Sequence, residues 1–433
     1  MLDAYLRRLV QNGSLGIIWP DGRQARYGEG HRPQVVVRLN GLFTPLKLAL
    51  HPYLYLGESY MDGSLCLERG TLRDLMDLLC RNYAGQHDGW LVRLARPIIS
   101  SLTQHNSRRL ARRNVAHHYD LSNKLYRLFL DKDLQYSCAY FKSPDLTLDA
   151  AQTAKKRHLI AKLQLQAGQR VLDIGCGWGG LALSIAEAAN VQVLGITLSR
   201  KQLEVAQQRA SEAGLSERVK FKLMDFRDVK RDAFDRIVSV GMLEHVGVPN
   251  YAAFFEQLRK LLAPSGIALL HAIGRMHGPS TTSRWMQKYI FPGGYIPALS
   301  QIIPHVERCG LWLTDLEILL LHYANTLRLW HERIQKSREA VEKLYDKRFY
   351  RMWEYYLVAS EMSFRYAGFM VFQIQLAKAV GAVPLTRDYL FEAERKTTSF
   401  FDLPTSQNVQ HAPPLRDAIE STRLIHGDDP VGL

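Results

Sequence analysis

Cysteine is scarce, with five residues in 433 and no Cys-x-x-Cys pair among them. That scarcity argues against a disulfide framework and a zinc site, and fits a reducing compartment. Acid is short as well. Forty-two Asp and Glu stand against 56 Lys and Arg, a formal charge of +14. Such a balance implies an anionic partner, nucleic acid or an acidic membrane surface, although a solvated basic face has the same composition. Uninterrupted apolar runs are missing too. The most apolar long segment, 366–383, contains Gln373, Gln375 and Lys378, so it reads as a buried helix and not as a bilayer span. Residues 1–11 carry Asp3, Arg7 and Arg8, which break any signal-peptide core, and a cytoplasmic location is expected.

What is present is organised around Val171-Leu-Asp-Ile-Gly-Cys-Gly-Trp-Gly-Gly180. An apolar run ends in an acid, a glycine-rich turn follows, and a helical pattern begins at Leu181. Glycines at 175, 177 and 179 permit a sharp turn and close approach to a ligand, with Asp173 at the strand's carboxyl end. Alone this is a modest signal. It gains weight from a second strand, Val191 to Thr197, that runs into Ser199 and Gln202, and from a third, Val219 onward, that ends at Asp225 and Phe226. Strands alternating with helices, each with its polar residues at the carboxyl end, build a crevice along one edge of a parallel sheet.

At this point the chain resembles the S-adenosylmethionine-dependent methyltransferases. The resemblance implies an α/β, Rossmann-like class I domain with a seven-stranded, mostly parallel sheet. The first glycine turn, including Trp178, would hold the donor's methionine part, Thr197, Ser199 and Gln202 the ribose, and Asp225 with Phe226 the adenine. Two further motifs narrow it: Asn114-Val-Ala-His-His-Tyr-Asp-Leu-Ser-Asn123, and Phe129 to Phe141 with Gln-Tyr-Ser-Cys-Ala-Tyr at its centre. With the glycine turn they resemble the cyclopropane-fatty-acyl-phospholipid synthases and the related mycolic acid cyclopropane synthases, from about Asn114 to the Leu376 region. Tyr136 and Ser137 would then touch the donor's methionine end.

Organisation follows from the same pass. Residues 1–98 read as a smaller α+β unit, with strands at Gly16–Trp19, Val35–Leu39 and Tyr53–Leu56 and a helix capped by Thr71; a lipid-holding, regulatory or purely structural role stays open. Residues 99–118 read as a basic helical linker, where Arg108, Arg109, Arg112 and Arg113 make one cationic stripe suited to phosphate headgroups, or a solvated one. A catalytic domain is expected over 119–395, with a long helical stretch from His322 to Val383. A polar, loosely ordered tail is expected over 396–433.

A fourth strand leads into Met242-Leu-Glu-His, and a fifth contains His271-Ala-Ile-Gly274. Glu244 and His271 thus fall at neighbouring strand ends, across the sheet's switch point from the glycine turn, where an acceptor should sit. A cis alkene is a feeble nucleophile. It needs a strongly electrophilic donor, a dry site for the cation-like centre left by methyl transfer, and a base for the proton lost on ring closure. Tyr136, Tyr140, Tyr289, Tyr295 and Tyr323 are candidates to steady that cation, and the aromatic stretch 285–297 could cover a greasy substrate. The resemblance implies that the base is a bound bicarbonate, held by the backbone at Cys138 and Ile273 and by Glu244, His271 and Tyr323. Cys138 has no evident activating base and needs no covalent role. Ser360 stands where several relatives carry cysteine, which excludes a thiol there.

The reading is therefore transfer of a methylene from S-adenosylmethionine to unsaturated acyl chains of phospholipids at an anionic membrane. The enzyme would sit peripherally on the inner face of the cytoplasmic membrane, and the resemblance implies a homodimer. Methylation without ring closure and methylation of a small amine remain as alternatives. Nucleic acid is disfavoured because Gly241-Met-Leu-Glu-His stands where base-amine methylators place Asn/Asp-Pro-Pro-Tyr.

Overall fold

The computed structural model describes residues 1–29, 33–83, 121–230 and 233–397. The expected basic linker, its four arginines and the tail beyond Thr397 lie outside them.

The amino-terminal unit comprises α1 (Leu2–Leu9), β1 (Ser14–Ile18), β2 (Gln24–Gly28), β3 (Val35–Leu39), α2 (Thr44–Leu50), α3 (Pro52–Asp62), β4 (Leu65–Arg69) and α4 (Leu72–Tyr83). Its strands form a sheet in the order β2-β1-β3-β4. Thr71 and Asp74 close a reciprocal cap on α4, the threonine Oγ1 accepting from the Asp74 N–H at 3.2 Å while its own N–H and O–H donate to Asp74 Oδ2. The strand expected at Tyr53–Leu56 is instead part of α3. Four alternating residues mimic a strand, but Pro52 opens the first helical turn and Gly63, at φ +80°, closes the last.

After α5 (Asn123–Phe129) and α6 (Leu148–Leu163), the second unit alternates strand and helix: β5 (Arg170–Ile174), α7 (Gly180–Ala188), β6 (Gln192–Thr197), α8 (Arg200–Glu212), β7 (Val219–Leu223), β8 (Phe234–Val240), α9 (Tyr251–Leu261) and β9 (Leu262–Arg275). Then follow α10 (Arg284–Tyr289), α11 (Leu299–Arg308), β10 (Trp312–Leu319), α12 (His322–Lys336), α13 (Arg338–Leu344), α14 (Lys347–Tyr366), β11 (Phe369–Ala377) and α15 (Asp388–Thr397). The sheet order is β10-β11-β9-β8-β5-β6-β7, and β11 alone runs antiparallel to its neighbours. This is the seven-stranded, mostly parallel α/β sheet that the resemblance implied.

The helix expected over 366–383 is therefore a correction. Its core is β11, hydrogen-bonded between β9 and β10 and buried on both faces. A strand covered on both sides loses the polar-apolar alternation that would identify it, and reads like a buried helix. The helical stretch from His322 accordingly stops at Tyr366, where Gly368 at φ +65° turns the chain.

The two units meet along α14. Arg73 on α4 pairs with the fully buried Glu361 (Nη2 to Oε1, 2.9 Å), Tyr60 donates to Glu354 at 2.5 Å, and Tyr366 donates to Asp77 at 2.6 Å. Gly57 lets α3 lie flush on α10, because a β-carbon there would come within 2.4 Å of the Trp285 ring nitrogen. Both α10 and α14 also wall the second of the two cavities described below.

Candidate active site

Two cavities share one wall at the carboxyl edge of the sheet. Tyr136, Ser137, Gly241 and His245 line both.

The first is built on the turn after β5. Gly175, Gly177 and Gly179 have φ of +85°, +54° and +84°, a left-handed run that other residues would resist. A β-carbon at Gly179 would strike the Phe221 ring at 2.7 Å, whereas one at Gly177 would meet nothing, so there the turn opens onto the crevice. Asp173 is 2% exposed, and its Oδ2 has no hydrogen-bond partner; burial pushes its carboxyl up to about 7. Thr197 donates to Gln202 Oε1 at 2.9 Å, and both line the crevice together with Trp178, Asp225 and Phe226. Asp225 accepts from Arg227 through both oxygens. Ser199 is placed differently. It caps α8 by accepting from the Gln202 N–H and does not reach the crevice wall. An orphaned buried carboxylate at one end, a paired acid at the other and bare backbone between them fit a donor that carries an ammonium group and an adenosine.

Lys155, which sequence reasoning missed, supports this wall from behind. Fully buried on α6, it donates to Gln135 Oε1 at 2.6 Å and to Ser137 Oγ at 2.8 Å, fixing the segment that carries Tyr136. Burial lowers its ammonium to about 8. A lysine on the inner face of a helix is the available signal.

The second cavity collects Cys138, Glu244, His271, Ile273 and Tyr323 from four separate stretches of chain. Glu244 Oε1 accepts from the Ile273 N–H at 2.6 Å, so that N–H is committed to the carboxylate and is not a ready donor for a second anion. Glu244 Oε2 and His271 Nε2 are both buried without a partner. Burial raises the Glu244 carboxyl to about 7 and holds His271 well below the usual imidazole range, with Lys155 and Lys162 adding to the second effect. The ring is therefore neutral. Burial also pushes the Cys138 thiol up, which leaves it a poor nucleophile.

Most of the rest of the lining is greasy, with Met286, Phe291, Tyr295, Leu327, Tyr356, Phe364 and Phe369, while Arg275, Thr281, Thr282, Ser283 and Ser363 add polar groups. Tyr136 and Tyr356 bridge their hydroxyls at 2.9 Å, and Tyr323 packs on Phe364 at 4.9 Å between ring centres. Ser360 lies in this lining, one residue before the Glu361 that Arg73 holds. Tyr140 and Tyr289 do not line it. Tyr140 is stacked between His158 and His322, and Tyr289 donates to Glu58. Tyr356, Phe364 and Ser363 escaped sequence reasoning because a helical aromatic stripe looks like any core face.

Comparison with known proteins agrees with the fold. Residues 106–374 match the model of the mycolic acid cyclopropane synthetase family, and residues 1–86 match a domain of unknown function (DUF7884). The chain is 40% identical to the cyclopropane-fatty-acyl-phospholipid synthase of Escherichia coli (strain K12), over 76% of this chain and 84% of that protein. It is 36% identical to the tuberculostearic acid methyltransferase UfaA1 of Mycobacterium tuberculosis, over 86% of this chain and 90% of that one. Among solved structures it is similar to the mycolic acid cyclopropane synthase CmaA1 complexed with SAH and CTAB, at 34% identity and a TM-score of 0.59, covering 62% of this chain and 98% of that one. With the glycine turn, the sheet order and the family model all in accord, the chain belongs to the mycolic acid cyclopropane synthetase family and is an S-adenosylmethionine-dependent methyltransferase.

Proposed function

We propose that the enzyme converts the cis double bond of an unsaturated phospholipid acyl chain into a cyclopropane ring, with bicarbonate as the proton acceptor. One observation carries this reading: the buried, unpartnered Glu244 Oε2 and His271 Nε2 lie in a mostly apolar cavity that shares its wall with the donor crevice. An amine acceptor could use the same carboxylate and imidazole as a base, but it would not call for the apolar walls that Phe291, Leu327, Phe364 and Phe369 provide. A small anion with a hydroxyl fits both polar groups, accepting from the imidazole N–H and donating to the carboxylate. Bound S-adenosylmethionine would supply the electrophilic methyl group. The protein's part is to exclude water, to present aromatic faces at Tyr136, Tyr295 and Tyr323, and to hold the anion near the departing proton.

Phospholipid at a membrane surface is supported by the chain's charge of +14 and by Leu42, Phe43, Leu46, Leu50 and Tyr53, all exposed along α2 and its flanks. No helix among the described residues is long and apolar enough to cross a membrane. We place the enzyme peripherally on the inner face of the cytoplasmic membrane, as a homodimer. The test is incubation with unsaturated phospholipid vesicles and labelled S-adenosylmethionine, with and without exhaustive bicarbonate removal. Label in saturated, ring-containing lipid that disappears without bicarbonate is expected; absence of lipid label would refute the substrate, and unchanged turnover would refute the anion.

A further inference from the structure

We infer that Gln373 is a positioning residue: its side-chain amide fixes the tautomer of His271 that presents Nε2–H to the acceptor cavity. This rests on the assignment of His271 to the anion-holding set.

Gln373 sits on β11 directly opposite His271 on β9 in the antiparallel register. Its Nε2 lies 3.2 Å from His271 Nδ1. An amide nitrogen can only donate, so Nδ1 accepts, and a neutral ring must then carry its proton on Nε2. That nitrogen is the one buried without a partner, and His271 lines the acceptor cavity. The ring stays neutral because it is buried and because Lys155 and Lys162 oppose its protonation.

The neighbouring glutamine sharpens the argument. Gln375, two residues on and on the same strand face, has both ends satisfied: it donates to the Lys162 carbonyl at 2.6 Å and accepts from Thr314 at 2.8 Å. Gln373 is 0% exposed, and its Oε1 has no partner. A fully buried amide with one end unsatisfied is a poor choice for stability alone, and leucine would fill the same space without an orphan. Its contact with His271 gives the amide a reason to be there. Orientation of a functional imidazole by a group on its far nitrogen is a general device, and here the group is a neutral donor that places a proton, and not a lone pair, in the cavity.

The test uses the full-length enzyme with nitrogen-15 histidine, the His271 signal assigned by its loss in His271→Ala. Wild type should show the Nε2–H form. Gln373→Glu supplies an acceptor and should move the proton to Nδ1, and Gln373→Leu should leave a mixture. Both variants should need at least tenfold more bicarbonate for half-maximal turnover, while binding S-adenosylhomocysteine as wild type does. Should the buried glutamate prevent folding, Gln373→Leu still decides. A wild-type proton on Nδ1, or bicarbonate dependence within twofold of wild type in the leucine variant, would overturn the inference. If the tautomer shifts as expected in an enzyme whose wild-type turnover ignores bicarbonate, the positioning role stands and the anion assignment falls.

Discussion

The donor crevice and the acceptor cavity share a wall but are made in opposite ways. The crevice is drawn from consecutive strand ends, and most of its polar groups find partners within a few residues: Thr197 with Gln202, Asp225 with Arg227. The cavity draws Cys138, Glu244, His271, Tyr323 and Ser360 from across the chain, and it leaves two polar atoms at its heart unsatisfied. The lesson is one of assembly. The crevice is built locally and leaves one carboxylate oxygen, Asp173 Oδ2, unpartnered, whereas the cavity is assembled from distant segments and leaves a carboxylate and an imidazole unpartnered within mostly apolar walls.

The contrast can be broken most severely at Glu244. Glu244→Gln keeps an oxygen for the Ile273 N–H but removes the carboxylate that would accept the anion's hydroxyl. Turnover should fall by roughly 10²–10⁴, the usual span for a positioned acid-base group. S-adenosylhomocysteine binding, followed by calorimetry, should not change. Equal losses of turnover and cofactor binding would show that the two compartments are not separable.

Gly179→Ala attacks the other compartment. A side chain at φ +84° that also meets the Phe221 ring should cost about 1–3 kcal/mol of stability and weaken cofactor binding, read by thermal denaturation and titration. Ser360→Trp, by contrast, should fill the acceptor cavity: turnover of long acyl chains should drop about tenfold or more at unchanged cofactor affinity, an effect of steric exclusion.

A pH profile sharpens the comparison further. Burial holds the Glu244 carboxyl at about 7, so activity should climb as pH rises through 7 and the carboxylate forms; Glu244→Gln should lack that limb. Stability runs the other way. Because the folded-state value lies above the ordinary 4.5, the group favours the folded state at low pH, and that contribution is lost as pH rises from 4.5 through about 7. Asp173 follows the same sign from 3.8. Denaturant melts across that window should show the slope reduced in Glu244→Gln. The smallest effect is expected at the surface, where Phe43→Ser with Leu46→Ser should weaken sedimentation with anionic vesicles by about 1–3 kcal/mol without altering the fold.

How much of this could be read in the sequence follows the same division. The glycine turn, Asp173 and Asp225 were legible because strand, turn and helix are contiguous and each constraint is local. Glu244 and His271 were expected at neighbouring strand ends; Glu244 lies in the turn after β8 and His271 inside β9, opposite the last residue of β8, and the resemblance supplied their company. Gln373 was not, since β11 is buried on both faces and its two glutamines looked like interruptions in a helix. Tyr140 and Tyr289 were proposed for the cavity on residue type alone, and packing sends one into a histidine stack and the other to Glu58. Lys155 and Arg73 act across tertiary contacts, to Gln135 and Ser137 and to Glu361, whose partners a local pattern does not name.

On the proposed reading, the acceptor compartment takes a proton from the transferred group. The direct measurement uses S-adenosylmethionine with a fully deuterated methyl and unsaturated phospholipid vesicles, with mass analysis of the released fatty acids. One deuteron lost and the double bond consumed is the result this account predicts. All three deuterons retained, in a methyl branch on an acyl chain or on an amine, would contradict it.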